Sequence, residues 1–399
     1  MDKVNKALIE LLSVSTGCQM SSAVELDAEE WRQLYDEAVA HQIQSLIFSE
    51  AYKYGVNINP ELFSKWKNSV IVQLIKYNER FSIVGELLNA LFNANIPVIV
   101  LKGLHYKYLY IDPTMRTMGD IDVLVTKQSL NIAIDVIKSF GYIQIKEDDP
   151  KHIQLAHKNY VPIELHFSLF TEAKRKIAVN FNKEIWESSY YFENDGLKFL
   201  VPSQGNQLLY CCIHMTNHFG MGGFGLRQLS DFNLLAKSVS QTFDWDELIE
   251  KAGLYGVGKF MEVILVICNR MFGLSVQEKI INKYSIEYDN VESMIQMILD
   301  AGVFGEKDNK SLQNRIIASY ISPNGKNGVS KLNYIFPSIE QLSPSYSYAH
   351  KYKILLPIAW VHRLFRNVFN IDIDYLKAAD PKIVDNYVKL FRWIDIKRN

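Results

Sequence analysis

"RTMGDIDVLV", residues 116–125, sets two acids two positions apart at the head of a run of β-formers. In a strand, alternate side chains share a face. Asp120 and Asp122 therefore point one way, while Ile121, Val123 and Val125 point the other. Carboxylates so placed repel, and beside an apolar interior the repulsion needs relief. A shared proton, an arginine or a hard cation would each supply it, and magnesium favours oxygen donors. The other reading is a loop end whose acids bond turn amides. The chain holds its own control: "NIDIDYL" sets Asp372 and Asp374 at the same spacing, before "YLKAAD". No glycine-led strand and helix precede that pair, and it reads as a helix start or solvated face. Context separates the two, not spacing.

Upstream of Asp120, "IPVIVL" (96–101) is a short β-branched run that reads as a buried strand. It leads into Lys102 and Gly103, where "KGLHYKYLY" is expected to begin a helix. Gly103 lets backbone approach a ligand, a helix N-terminus offers N–H groups to an anion, and Lys102 adds a cation. Arg116 is expected to reinforce that phosphate grip. Downstream, "VPIELHF" (161–167) places Glu164 in the middle of an apolar strand, with His166 on the same face. A glutamate there calls for a cation, and it supplies the third carboxylate a metal site wants. A phosphate held at one strand end and a metal at the next suits a nucleoside triphosphate.

Around this centre the texture is helical. Residues 1–94 show apolar residues at three- and four-residue steps, with Gly55 as a stop and Pro60 opening a long run. "TKQSLNIAIDVIKSFG" reads as a helix capped by Thr126 and ended by Gly141. "YIQIKE", "HIQLAHK" and "VPIELHF" read as strands joined by hairpins. From residue 202 the pattern is helical again. The expected class is α+β: a small mixed-sheet core over 95–201, an N-terminal helical region over 1–94 and a C-terminal one over 202–399.

The bulk numbers narrow the function. The 399 residues are 48% hydrophobic, and 43 basic against 44 acidic residues leave a net charge of -1. No global basic field exists to bind nucleic acid, which is not expected as a partner. The four cysteines form no C-x-x-C pair, and Cys211 and Cys212 read as buried thiols. No stretch reaches the roughly 20 apolar residues a membrane span needs. "ALIELLSVSTGC" is interrupted by Glu10 and reads as an amphipathic helix rather than a lipoprotein signal. The expected compartment is the cytoplasm.

Four further residues could line a substrate cleft with His166. His214 and His218 share a helix face, and with His166 and Asp231 they could build a metal site. Core or substrate-facing roles fit them better. Arg227 and Asp231, four apart, pair with each other or bind substrate. "GMGGFG" (220–225) follows a helix rather than a strand, so it reads as a helix–helix turn and not a dinucleotide loop. "HKYKILLPIAWVHRLFRNVF" (350–369) reads as a core helix kinked at Pro357.

"LKG" (101–103), "GDIDVLV" (119–125) and "IEL" (163–165) together resemble the nucleotidyltransferase superfamily with the DNA polymerase β-type core. More closely, "VLKGLHYKYLY…RTMGDIDVLV…PIELHFSL" is similar to a poorly characterised bacterial nucleotidyltransferase family in which K-G replaces G-G or G-S. The resemblance covers roughly residues 95–235. It implies that Asp120 and Asp122 hold Mg2+ and that Glu164 is the third ligand or the base for an acceptor hydroxyl. It implies that Gly103 is the phosphate-loop glycine. Leu104 stands where many members have Ser or Gly, and Lys102 is the residue placed to compensate. The implied activity is magnesium-dependent transfer of a nucleoside monophosphate from a nucleoside triphosphate such as ATP. The acceptor would be a hydroxyl of a small molecule or protein. The alternative is a catalytically inactive module of the same fold that binds nucleotide or a partner protein.

Overall fold

The computed structural model describes residues 1–19, 23–146, 151–169, 175–221, 223–239, 242–302, 346–368 and 381–395, with Phe336, Ile339 and Leu342. The chain divides into two compact units. The first joins Met1–Cys212, Arg227–Leu248 and Cys268–Val276; the second joins Ile213–Leu226, Ile249–Ile267 and Gln277–Asn399.

The first unit opens with helices α1 (Lys3–Ser15), α2 (Ala28–Ala40), α3 (Phe48–Tyr54), α4 (Pro60–Phe81) and α5 (Val84–Asn93). Their ends follow local chemistry. Asp27 and Glu30 form a reciprocal capping box on α2, and Asn59 caps α4 with Pro60 in its first turn. The two long helical runs expected before residue 95 are each broken. The first stops where Gln42 takes a positive φ of 53°, and the second is interrupted at Ser82–Ile83. Two short strands, β1 (Val24–Glu25) and β2 (Gly55–Val56), pair in parallel.

Seven strands build the central sheet: β3 (Ile99–Val100), β4 (Ile121–Leu124), β5 (Ile143–Lys146), β6 (His152–Ala156), β7 (Ile163–His166), β8 (Tyr190–Asn194) and β9 (Leu197–Val201). Their order is β5-β6-β7-β4-β3-β9-β8. Neighbours are antiparallel except β7 beside β4 and β3 beside β9, which are parallel. The expected hairpins β5–β6 and β6–β7 are present. Helix α5 and α6 (Leu130–Ser139) cover one face. There Leu91, Ala133 and Ile137 pack with Val123, Ile163 and Leu165. Each fully buried aliphatic side chain of this kind contributes about 1.5–3 kcal/mol, so this face anchors the sheet. The α+β class expected from the sequence is the observed one.

Three local expectations are corrected. The segment after Gly103 is a turn and a four-residue 3-10 helix, Tyr106–Leu109, rather than an α-helix. Gly103 itself sits at φ +55, which ends strand geometry without starting a helix. Helix α6 starts at Leu130, because Thr126 caps the turn before it, accepting from the Ser129 amide at 3.2 Å. Pro357 lies in the first turn of helix Leu356–Val368, where its missing N–H breaks no ladder bond, and Ile358 and Val361 of this helix are exposed rather than in the core.

Helices α7 (Arg175–Ser188), α8 (Gln204–Met221), α9 (Leu226–Ser238), α10 (Trp245–Leu254), α11 (Gly258–Phe272), α12 (Glu278–Ser285) and α13 (Tyr288–Ala301) follow, then Ser347–Lys351, Leu356–Val368 and Pro381–Ile394. Cys211 and Cys212 are buried free thiols. In the second unit, Phe219 packs on Phe391 with ring centroids 4.7 Å apart and on Phe260 at 6.0 Å.

Candidate active site

The parallel register of β4 and β7 sets Asp122 beside Glu164 and Leu124 beside His166. Ile121, Val123, Ile163 and Leu165 belong to the apolar face. Alternation leaves Asp120, Asp122, Glu164 and His166 for the opposite one. One oxygen from each of Asp120, Asp122 and Glu164 lies within 4.8 Å of the others. The pair Asp372 and Asp374 lies outside the described residues.

Lys102 and His166 meet these acids. Lys102 Nζ is 3.1 Å from Asp122 Oδ2. His166 Nε2 is 3.0 Å from Asp122 Oδ1 and 3.6 Å from Glu164 Oε2. Gln154 Nε2 donates to Glu164 Oε1 at 3.2 Å. Asp122 is 2% exposed, so it sits at the bottom of the cluster.

Charge shifts follow from burial and neighbours. Burial, then the adjacent Asp122, raises the Asp120 carboxyl above its usual range. Burial works the same way on Glu164, but its hydrogen bond from His166, and then the nearby charges of Lys102 and His152, bring it below its usual range. Burial penalises the charge on Lys102, yet Asp122, Asp120 and Glu164 more than offset it and raise its pKa. His166 is likewise raised by Asp122 and Glu164 against burial. Tyr210 of α8 keeps its proton, first through burial and then through the field of Asp122, Glu164 and Asp120.

Gly103 lies under the loop that leads to Asp120. A Cβ added there would meet Met118 Sδ at 3.4 Å and Arg116 Nη1 at 3.9 Å. The guanidinium expected in the phosphate grip has a different partner. Arg116 Nε and Nη2 donate to Asp231 Oδ1 and Oδ2 at 2.8 and 2.6 Å, and Tyr110 donates to Asp231 Oδ1 at 2.8 Å. Arg116 and Asp231 are each 5% exposed. Planar bidentate geometry explains the choice: the aspartate accepts a fork it can match oxygen for oxygen. Arg227, expected opposite Asp231, donates instead to Gln42 Oε1 and to Thr117 Oγ1 at 3.2 Å. Burial, then the nearby charge of Arg116, pushes Arg227 down to about 10.

His214 and His218 lie in the second unit and share a hydrogen bond between their Nε2 atoms at 3.2 Å. Among the described residues, neither belongs to a cluster of three potential metal ligands, and nor does Asp231. Sequence reasoning missed His152, Gln154 and Tyr210. The first two carried a signal: in "HIQLA" they alternate with Ile153 and Leu155, so they share one face.

The site thus joins an acid–hydrophobic–acid segment at β4, a glycine turn after the neighbouring β3 and a glutamate on the neighbouring β7. Residues 27–273 match the family described as "Uncharacterised nucleotidyltransferase". That is more than half of the 399 residues, and the chain belongs to this family. No curated protein matches it. Among solved structures, it is similar to an antigenic nucleotidyltransferase-like protein from Paracoccidioides brasiliensis, at 15% identity and a TM-score of 0.32. That match covers 50% of this chain and 94% of the other, and is too distant to bear on function.

Proposed function

We propose that this chain transfers a nucleoside monophosphate from a nucleoside triphosphate, ATP being the first to try, to a hydroxyl of a small molecule or protein. Residues 95–201 form its catalytic core and Mg2+ its metal. One observation carries the reading: three carboxylates, on β4, on β7 and just before β4, hold oxygens within 4.8 Å of one another. The donor set is oxygen only and fits a hard cation, with Asp120, Asp122 and Glu164 as holders. When bound, the metal would offset phosphate charge and favour attack by the acceptor hydroxyl.

The chain's own residues supply the rest. The acceptor oxygen forms a bond to the α-phosphorus, the bond to the β-phosphate breaks, and pyrophosphate leaves. Glu164 serves in this reading as the third metal holder or as the base that takes the hydroxyl proton. Lys102 carries positive charge beside Asp122 and is placed to meet a phosphate oxygen. Gly103, at φ +55, makes the turn that follows β3 beside Lys102. No described helix is long and apolar enough to cross a membrane.

The inactive-module reading has one observation in its favour. Lys102 and His166 both engage Asp122, so the chain itself supplies partners for that carboxylate. Labelled nucleotides and Mg2+ separate the two. Metal-dependent pyrophosphate release that falls at least about a hundredfold in Asp122→Asn supports the transferase. Tight nucleotide binding without release supports the module. If neither nucleotide nor metal moves the melting temperature, the transferase and the nucleotide-binding module both fail.

A further inference from the structure

Strand β6 brings to this face a side chain that the proposed transfer does not use. His152 sits opposite His166 in the β6–β7 register, and Gln154 sits opposite Glu164. The two imidazole rings lie 5.0 Å apart, centroid to centroid. One ligand atom from each of His152, Glu164 and His166 lies within 4.8 Å of the others. This donor set differs from the carboxylate triad in kind. It offers two nitrogens and one oxygen, where the triad offers oxygens alone. Imidazole suits zinc and its neighbours in the transition series, while magnesium and calcium favour oxygen. Two histidines and a glutamate, with a position left for water, form a working zinc set.

The spacing is close to what such an ion needs. Bonds of about 2.1 Å in a tetrahedron separate donors by roughly 3.4 Å. His166 Nε2 and Glu164 Oε2 already stand 3.6 Å apart. The His152 donor stands within 4.8 Å of both. All three side chains rise from neighbouring hydrogen-bonded strands, so the backbone does not have to move.

We propose that His152, Glu164 and His166 form a second metal site, for Zn2+ or a similar transition ion, that overlaps the carboxylate triad at Glu164. One glutamate then serves two sites of opposite preference. An ion on the histidine side would take Glu164 from the triad and His166 from Asp122. Zinc would therefore oppose magnesium-dependent turnover. That consequence rests on the transferase reading; the site itself does not.

The test uses the full metal-free chain titrated with Co2+, whose visible bands report nitrogen ligands and low coordination number. The wild type should take up one Co2+ that an equal amount of Zn2+ displaces. His152→Ala should weaken this binding at least tenfold, and His152→Gln should do the same while keeping the strand's bulk. Asp120→Asn, outside the histidine set, should bind cobalt as the wild type does. Absence of the bands in the wild type overturns the site, as does undiminished affinity in both His152 variants or equal loss in Asp120→Asn. A second arm follows pyrophosphate release with added Zn2+, each protein scored against its own zinc-free rate. Zinc inhibition that His152→Gln relieves supports the overlap, and inhibition that it does not relieve overturns it. Cobalt bands without turnover in any variant would leave the metal site standing and the transferase reading fallen.

Discussion

Two buried ion pairs flank one short loop, and they are built to opposite balances. Arg116 meets Asp231 with two matched hydrogen bonds and a third from Tyr110. One positive charge faces one negative charge, and both are sealed. Four residues along the chain, Asp120 joins Asp122 and Glu164, and three acids share Lys102 and His166. There the charges crowd, Asp120 resists ionisation, and Glu164 retains some exposure. A matched and sealed pair holds a fold, whereas a crowded and partly open cluster spends stability to keep a site ready for a cation.

The sharpest way to break this contrast is Asp231→Ala. It leaves the Arg116 charge buried and unmatched, and should cost about 3–5 kcal/mol of stability, read as a fall in denaturation midpoint. Asp120→Asn should do the reverse. Removing one of three crowded acids should hold or raise the melting temperature while turnover falls at least about a hundredfold. A large drop in melting temperature would place Asp120 with the structural pair. His105 tests burial with no charge partner of its own. Burial, against a weaker pull from Gln207, lowers it to about 4 from an ordinary 6.5. The folded chain then refuses a proton that the unfolded chain accepts. Stability should be full above pH 6.5 and decline as pH falls toward 4, by about 3 kcal/mol in all. His105→Asn should flatten that slope in melts run from pH 7 to pH 4.5. The smallest effect belongs to Gly103→Ala. Its φ of +55 would cost an alanine about 1–2 kcal/mol, and Met118 would have to give way slightly.

The site's outline was legible because it depends on alternation. Asp120 and Asp122 share a face, and Glu164 with His166 shares another, from spacing alone. Their meeting was expected, from Glu164 in an apolar strand and from the resemblance, but the pairing behind it was not legible: no local pattern encodes β4 and β7 lying parallel and in one register. The pairing of Arg116 with Asp231 was hidden for a related reason. Its partner lies 115 residues away, and nothing near Arg116 announces it. The β8–β9 hairpin was different, because "YYFENDGLKFLV" spells its turn. Asp195 and Gly196 take φ of 50° and 72° at an Asp-Gly step between alternating strands. That signal was present and went unread, so the sheet proved wider than expected.

The clamp between Arg116 and Asp231 also limits how the motif can travel. The loop bearing Asp120 is moored to a helix far along the chain, so the decapeptide is no portable module. Grafted into another scaffold without that distant mooring, it would carry the right letters on a slack tether.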